Sequence, residues 1–373
     1  MDLRLHPCTL AGTILPPPAK SLQHRYIIAE TLAKGSTEIV PASEDAEKTK
    51  TGILQLLRGG KGPIDCGGAG TTLRLLLPLA AVLAPRTEFT GTARLFVRPL
   101  GDAVLYERTE RGLRLVQQEL PKDIVLSAEH SSQDLSGLLF ALPLLPEEHS
   151  ITLRGKCVSR PYVAMTLAVL HSYGLRIEET EQGFIIPGNQ YYVNCETVPI
   201  ERDWSQAAFF LAAKALGMAI EVKDMERPSL QGDAVIEMLL ADLPDSLSLA
   251  DTPDLLPPLA LYAALQEGKR TVFTALAHLR GKESDRIESV SAALVALGAA
   301  VETGEDSLSV QGVKTLHGGR VDAMGDHRIA MLAAMAAPFS TGDILLNGAE
   351  TVGKSYPEFW NEYRRLGGKA EEV

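Results

Sequence analysis

The sequence predicts an α/β protein of two domains assembled from repeated helix and strand units. Three observations predict it. A chain of 373 residues is too long for one ordinary core and long enough for two that each bury a sizeable interior. Helical periodicity recurs along it, each stretch closed by glycine or proline. Between the helices lie short alternating segments, and one pattern of helix, glycine stop, strand, turn and strand occurs twice.

In chain order, the spacing predicts a helix over residues 21–34, stopped by Gly35, and another over 71–84, stopped by Pro85. Ser131, Ser132 and Gln133 stand as a capping segment ahead of an apolar helix over 135–145. A helix over 161–173 ends at Gly174, and residues 176–178 and 184–186 read as strands. Later helices over 204–216, 283–297 and 329–337 end at Gly217, Gly298 and Pro338. The segments Gly174 to Gly188 and Gly298 to Gly312 share the spacing between their bounding glycines, which makes them two copies of one unit.

Composition narrows the function classes. A net charge of -11 and a pI near 5.3 argue against broad nucleic-acid binding, which needs a basic surface. The longest apolar run, residues 75–83, is interrupted by Pro78 and falls short of the roughly 18 residues of a membrane span. His6, Pro7 and Cys8 break the N-terminal stretch where a secretory signal would be apolar, so a cytoplasmic location is expected. Cys8, Cys66, Cys157 and Cys195 lie far apart and read as reduced thiols, with no metal site expected.

The informative feature is a cation in or near the first turn of several helices. It recurs in Lys20-Ser21-Leu-Gln-His-Arg25, Gly68-Ala69-Gly70-Thr71-Thr-Leu-Arg74, Gly281-Lys282-Glu283-Ser-Asp-Arg286 and Gly325-Asp326-His327-Arg328. A cation there opposes the helix dipole by a few tenths to about 1 kcal/mol. An anion resolves the conflict, because free N–H groups, the dipole and a guanidinium together bind phosphate or carboxylate. A ligand or ligands with several anionic groups are expected. Two carboxylates stand beside these cations, Asp254 in Thr-Pro-Asp-Leu-Leu-Pro and Glu283 after Lys282; each is equally readable as a plain helix-start residue.

Taken together, these residues resemble the EPSP synthase family, in order from Lys20 to Lys354. The motifs are Ala19-Lys20-Ser21-Leu-Gln-His-Arg25, Gly68-Ala69-Gly70-Thr71-Thr-Leu-Arg74, Arg94-Leu-Phe-Val-Arg98-Pro99, Ser131-Ser132-Gln133 and Val158-Ser159-Arg160-Pro161-Tyr162. His278-Leu-Arg-Gly-Lys282-Glu283-Ser-Asp-Arg286, Asp326-His327-Arg328-Ile-Ala-Met and Gly353-Lys354-Ser-Tyr-Pro-Glu-Phe complete the series. The resemblance implies a two-lobed enolpyruvyl transferase fold of the inside-out α/β barrel type. The lobes would be 19–230 and 1–18 with 231–373, closing on their ligands.

It further implies that Lys20, Arg94, Arg286, Arg328 and Lys354 hold phosphoenolpyruvate, with Gly70 lining that pocket, where glyphosate also sits in this family. Ser21, Arg25, Ser131, Ser132, Gln133, Ser159, Tyr162, Asp254 and Lys282 would hold shikimate 3-phosphate. Asp254 would take the proton of the 5-hydroxyl, and Glu283 or Lys282 would protonate the methylene carbon. No metal or organic cofactor is implied, and a cytoplasmic monomer acting on two small molecules, without nucleic acid or membrane, is expected. Against the family pattern, the chain is trimmed between Asp45 and Cys66, Pro99 and Ser127, and Leu240 and Asp251. Pro18-Ala19 replaces Gly-Ser, His24 and Gly68 replace frequent asparagines, and Leu75 stands where many relatives have proline. The rival readings are enolpyruvyl transfer to a UDP-sugar, whose reactive loop cysteine has no counterpart near residues 87–96, and a non-catalytic anion-binding paralogue.

Overall fold

In the computed structural model, residues 1–116, 119–127, 129, 131–198 and 200–373 are described. Lys20–Ile200 form one compact unit, and Met1–Ala19 with Glu201–Val373 form the other. From the sequence, the return crossing is expected after residue 230; it falls between Ile200 and Glu201. The reason is packing. The helix Trp204–Ala215 is buried along Trp204 to Ala213 and clusters with Leu3, Leu5 and Ile14 from the start of the chain. An all-round apolar helix of this kind belongs inside a core, and the next strand, Ala219–Val222, pairs in parallel with Ala11–Ile14.

The unit Lys20–Ile200 holds six helices among its described residues. These are α1 (Lys20–Lys34), α2 (Glu44–Leu57), α3 (Gly70–Leu83), α4 (Ala93–Val97), α5 (Ser132–Ala141) and α6 (Arg160–Ser172). Helix α1 packs on α2 and α6, α2 on α3, and α5 on both α3 and α6. The α3–α5 contact is backbone-close. A Cβ on Gly137 would lie 2.2 Å from the carbonyl of Arg74, so only glycine fits there.

Two four-stranded sheets complete this unit with the same topology. Ile64–Asp65 runs parallel to Glu88–Thr90, which pairs antiparallel with Gly112–Leu115, whose outer edge carries Tyr106–Thr109. Asp123–Ser127, His149–Arg154, Gly183–Ile186 and Glu178–Thr180 repeat that order and those directions.

In the other unit, α7 (Trp204–Ala215), α8 (Ile236–Ala241), α9 (Leu256–Ala264), α10 (Arg286–Ala296), α11 (His327–Ala336) and α12 (Phe359–Arg365) surround one apolar cluster. Ser246–Ser248, Arg270–Thr274, Ser307–Gln311 and Ala300–Thr303 form a third copy of the sheet. A fourth copy is assembled from Gly319–Asp322, Ile344–Asn347, Asp2–His6 and Lys369–Glu372. Its last hairpin position is filled by the two ends of the chain. The sheet topology that contains both copies of the sequence repeat is therefore present four times among the described residues.

Several expected boundaries move. The helix expected over 135–145 is α5, Ser132–Ala141, followed by a 3-10 turn at Leu142–Leu144. The strand expected at 176–178 is Glu178–Thr180. The helix expected from 283 begins at Arg286, because the Asp285 carboxylate accepts the N–H of Glu288 at 3.4 Å and so caps the helix there. Lys282 and Glu283 consequently sit in the extended turn ahead of α10 rather than inside it.

Candidate active site

Within Lys20–Ile200, side chains tie the starts of four helices together. Arg25 is 1% exposed and donates from Nη1 to the Ser21 carbonyl (2.8 Å), from Nη2 to the Tyr162 carbonyl (2.9 Å) and from Nε to Thr166 (2.8 Å). It joins the first turn of α1 to that of α6. Gln133 Nε2 donates to Thr71 Oγ1 at 2.8 Å and joins the start of α5 to that of α3. Ser131 caps α5 by accepting the Gln133 N–H at 3.1 Å. Ser132 and Ser159 are buried, Ser21 and Tyr162 partly so. Ser159 adopts a left-handed backbone (φ 57°, ψ 37°) and makes no cap bond to α6, a conformation that costs a non-glycine residue roughly 1–2 kcal/mol. Such strain often marks a side chain aimed at a ligand.

Arg25 is thus a buried clamp with most of its donors directed at protein oxygens. Burial also lowers its pKa to about 10, with Tyr162 acting the other way.

The two arginines of the Arg94-to-Pro99 motif part company. Arg94 lies exposed on α4, whereas Arg98 is 5% exposed and packs against Gly70. A Cβ on Gly70 would lie 2.5 Å from Arg98 Nη1 and 2.8 Å from Arg74 Nη1. Arg74 in turn donates to the Pro99 carbonyl at 2.6 Å and pairs with Asp134 at 3.5 Å. Two guanidiniums therefore crowd the glycine that starts α3. Sequence reasoning missed Arg98 although it stood in the quoted motif, since nothing in that motif says which arginine turns inward.

In the other unit, Asp254 sits in the 3-10 turn Pro253–Leu255 before α9. Its Oδ1 accepts from Arg286 Nη1 at 2.6 Å and its Oδ2 from Arg328 Nη2 at 2.7 Å. Arg286 also donates to Glu283 at 2.9 Å and from Nε to Asp326 at 2.9 Å. Asp326 is fully buried and caps α11 by accepting the Arg328 N–H at 3.0 Å. Lys354 Nζ donates to the Gly325 carbonyl at 2.7 Å, at the same helix start. Asp254, Glu283, Arg286, Arg328 and Lys354 are thus brought together. Lys282 is near enough to act on Asp254. Burial works to raise the Asp254 carboxyl, but Arg328, Arg286 and Lys282 outweigh it and hold it well below the usual carboxylate range. Burial alone would lower Arg286; the carboxylates of Asp326, Asp254 and Glu283 raise it instead.

The cations at helix starts are not waiting for a ligand alone. Lys20 pairs with Asp45 at 2.8 Å, Arg74 with Asp134, and Arg286 and Arg328 with Asp254. Protein carboxylates hold the places that phosphate or carboxylate groups of a ligand can compete for. Neither Asp45 nor Asp134 was singled out in the sequence.

Asp233 gave no sequence signal at all. It is 2% exposed, accepts from the Ser205 hydroxyl through Oδ2, and its Oδ1 has no hydrogen-bond partner among the described residues. Burial first, then Asp254, push its carboxyl up to about 7. Burial, with Lys282 next, pushes His278 down to about 4. Among the described residues, no group of three or more His, Cys, Asp or Glu side chains could hold a metal ion.

A family model described as EPSP synthase (3-phosphoshikimate 1-carboxyvinyltransferase) matches residues 52–243 and 243–363. A 3-phosphoshikimate 1-carboxyvinyltransferase of Clostridium kluyveri is 35% identical, over 99% of this chain and 98% of its own length. One of Clostridioides difficile is 33% identical, over 100% and 98%. The first alignment spans 420 positions, so the relative carries segments that this chain lacks. Among solved structures, EPSP synthase from Acinetobacter baumannii superposes with a TM-score of 0.76 at 23% identity, covering 100% of both chains. The enolpyruvyl transferase NikO from Streptomyces tendae gives 0.72 at 14%, covering 99% and 98%. These two likenesses are of fold.

Proposed function

The chain belongs to the EPSP synthase family, and on that premise we propose how its own residues move the enolpyruvyl group of phosphoenolpyruvate to the 5-hydroxyl of shikimate 3-phosphate. The hydroxyl oxygen bonds to C2 while C3 gains a proton, giving a tetrahedral intermediate. Loss of phosphate and of one C3 proton then restores the methylene group. One proton acceptor, one proton donor and a set of cations for the departing phosphate are required.

The observation that carries this reading is the cluster of Asp254 and Glu283 on Arg286, with Arg328 on Asp254. Asp254 is ionised at neutral pH, which suits it to accept the hydroxyl proton. Held by two guanidiniums it is a weak base. A phosphate or carboxylate drawing Arg286 and Arg328 to itself loosens that hold and raises the basicity of Asp254, so phosphoenolpyruvate primes the group that starts its own reaction. Glu283, sharing Arg286, or Lys282 beside it supplies the proton to C3.

Phosphoenolpyruvate is assigned to Lys20, Arg286, Arg328 and Lys354, with Arg98 in place of the exposed Arg94 and Gly70 leaving room beside it. Shikimate 3-phosphate is assigned to Ser21, Ser131, Ser132, Gln133, Ser159, Tyr162, Asp254 and Lys282, with Arg25 positioning the helix starts that carry them. Cys8, Cys66, Cys157 and Cys195, read as reduced thiols, support a reducing, cytoplasmic compartment.

Asp254→Asn and Glu283→Gln test the assignment. Each is expected to lower kcat by about 100-fold or more, because each removes a proton-transfer group. Calorimetric affinity for shikimate 3-phosphate should stay within about threefold, which is under 1 kcal/mol. Near-normal turnover in Asp254→Asn would remove it from the chemistry.

A further inference from the structure

His24 is fully buried in α1, one turn after Lys20, and belongs to a closed ring of contacts that spans three helices. Its Nδ1 lies 2.6 Å from Thr49 Oγ1 on α2. Thr49 Oγ1 lies 2.7 Å from Thr72 Oγ1 in the first turn of α3. Thr72 donates to the Asp45 carbonyl at 3.2 Å, back on α2. The Asp45 carboxylate holds the Lys20 ammonium at 2.8 Å, which returns the ring to α1. Thr49 and Thr72 are both fully buried, so bulk solvent does not reach their hydroxyls and a wrong proton placement is costly.

Each hydroxyl has one proton to give, which orients the chain. The Asp45 carbonyl lies 3.2 Å from Thr72 Oγ1 and 3.4 Å from Thr49 Oγ1, and the nearer hydroxyl, Thr72, spends its proton there. Thr49 then donates to Thr72, which leaves its oxygen free to accept, and among the described residues His24 Nδ1–H is the donor within hydrogen-bond distance. The ring nitrogen left over, Nε2, has no hydrogen-bond partner among the described residues. In this tautomer it is a bare lone pair. The reverse orientation would leave a buried N–H unsatisfied, the costlier outcome. Burial, with Lys20 and then Arg25 nearby, holds the imidazole pKa well below its usual value, which agrees with a neutral ring.

We propose that His24 is a positioning residue: its Nδ1–H orients the Thr49–Thr72 hydroxyl chain, which fixes the first turn of α2 and thereby the Asp45 carboxylate that aims Lys20 at phosphoenolpyruvate. The inference rests on the assignment of Lys20 to that substrate. The same chain ties Lys20 to the start of α3, where Gly70 and Thr71 lie two and one residues ahead of Thr72. Two halves of one anion pocket are thereby held in register.

The test compares His24→Leu, His24→Asn and Lys20→Ala in steady-state kinetics, with a histidine-labelled 15N spectrum of the wild-type protein. His24→Leu fills the space without a donor and is expected to raise KM for phosphoenolpyruvate roughly tenfold, with KM for shikimate 3-phosphate within about twofold. His24→Asn places an amide N–H where Nδ1 was and should restore KM to within about threefold. A merely structural role predicts neither the substrate selectivity nor the rescue. Normal KM in His24→Leu, while Lys20→Ala raises it, overturns the role of His24. Normal KM in Lys20→Ala overturns the substrate assignment and the inference with it. Where His24→Leu does not fold, the spectrum decides: a neutral ring protonated on Nδ1 is expected, and a proton on Nε2 overturns the proposal.

Discussion

Replacing Gly70 by alanine perturbs the assigned phosphoenolpyruvate pocket by a single methyl group. The added Cβ would stand 2.5 Å from Arg98 Nη1, 2.8 Å from Arg98 Cζ and 2.8 Å from Arg74 Nη1. Comfortable separations are about 3.5 Å or more, so the Arg98 guanidinium must retreat by roughly 1 Å. Arg74 has less freedom, being tied to the Pro99 carbonyl and Asp134. The atoms met are side-chain ends rather than backbone, so the fold adapts at a cost of about 1 kcal/mol or less. Binding geometry does not adapt as easily, because a displacement of about 1 Å at a charge clamp can cost on the order of 100-fold. KM for phosphoenolpyruvate should therefore rise about 10- to 100-fold while KM for shikimate 3-phosphate stays within about twofold. Glyphosate, by family resemblance an occupant of this pocket, should compete with phosphoenolpyruvate and lose potency in the variant. Phosphate-release kinetics over a range of both ligands measure this. An unchanged KM and unchanged glyphosate inhibition in a folded Gly70→Ala protein would refute the placement of substrate against Gly70 and Arg98.

Other expectations follow from the same geometry. Arg98→Ala should raise KM for phosphoenolpyruvate by about 10-fold or more, whereas Arg94→Ala, at an exposed site, should leave it within about twofold; the reverse ranking would restore Arg94 to the pocket. Asp233 carries a folded-state pKa of about 7 against 3.8 when free, so the folded state binds the extra proton between those values. Its contribution to stability falls as pH rises from about 4 and is lowest above about 7. Asp233→Asn should accordingly raise the Tm at pH 8 more than at pH 5, and an equal shift at both would show that the carboxyl does not titrate there.

Five helix starts were legible because their signals are local. Glycine and proline stops, Ser131 as a cap and the recurring first-turn cations each act within one turn, and α1, α3, α6, α7 and α11 begin within two residues of their expected positions. The partners of those cations were not legible. Asp45 meets Lys20 and Asp134 meets Arg74 only after separate helices pack, and no spacing rule reaches across that distance. Arg94 lies on α4 and Arg98 just past its end in extended backbone, and composition does not encode which of the two turns to Gly70. The crossing at Ile200 was missed because an apolar helix such as α7 fits either core equally well by periodicity. The repeat was seen twice, although two further sheets share its topology, one built from both ends of the chain.

The central claim is that this chain couples two specific substrates in one transfer. The most direct measurement is inorganic phosphate release by the purified protein, with phosphoenolpyruvate present throughout and shikimate 3-phosphate, UDP-N-acetylglucosamine or no acceptor added. Release is expected only with shikimate 3-phosphate, in step with formation of the enolpyruvyl product; release without an acceptor, equal release with the UDP-sugar, or none under any condition would contradict it.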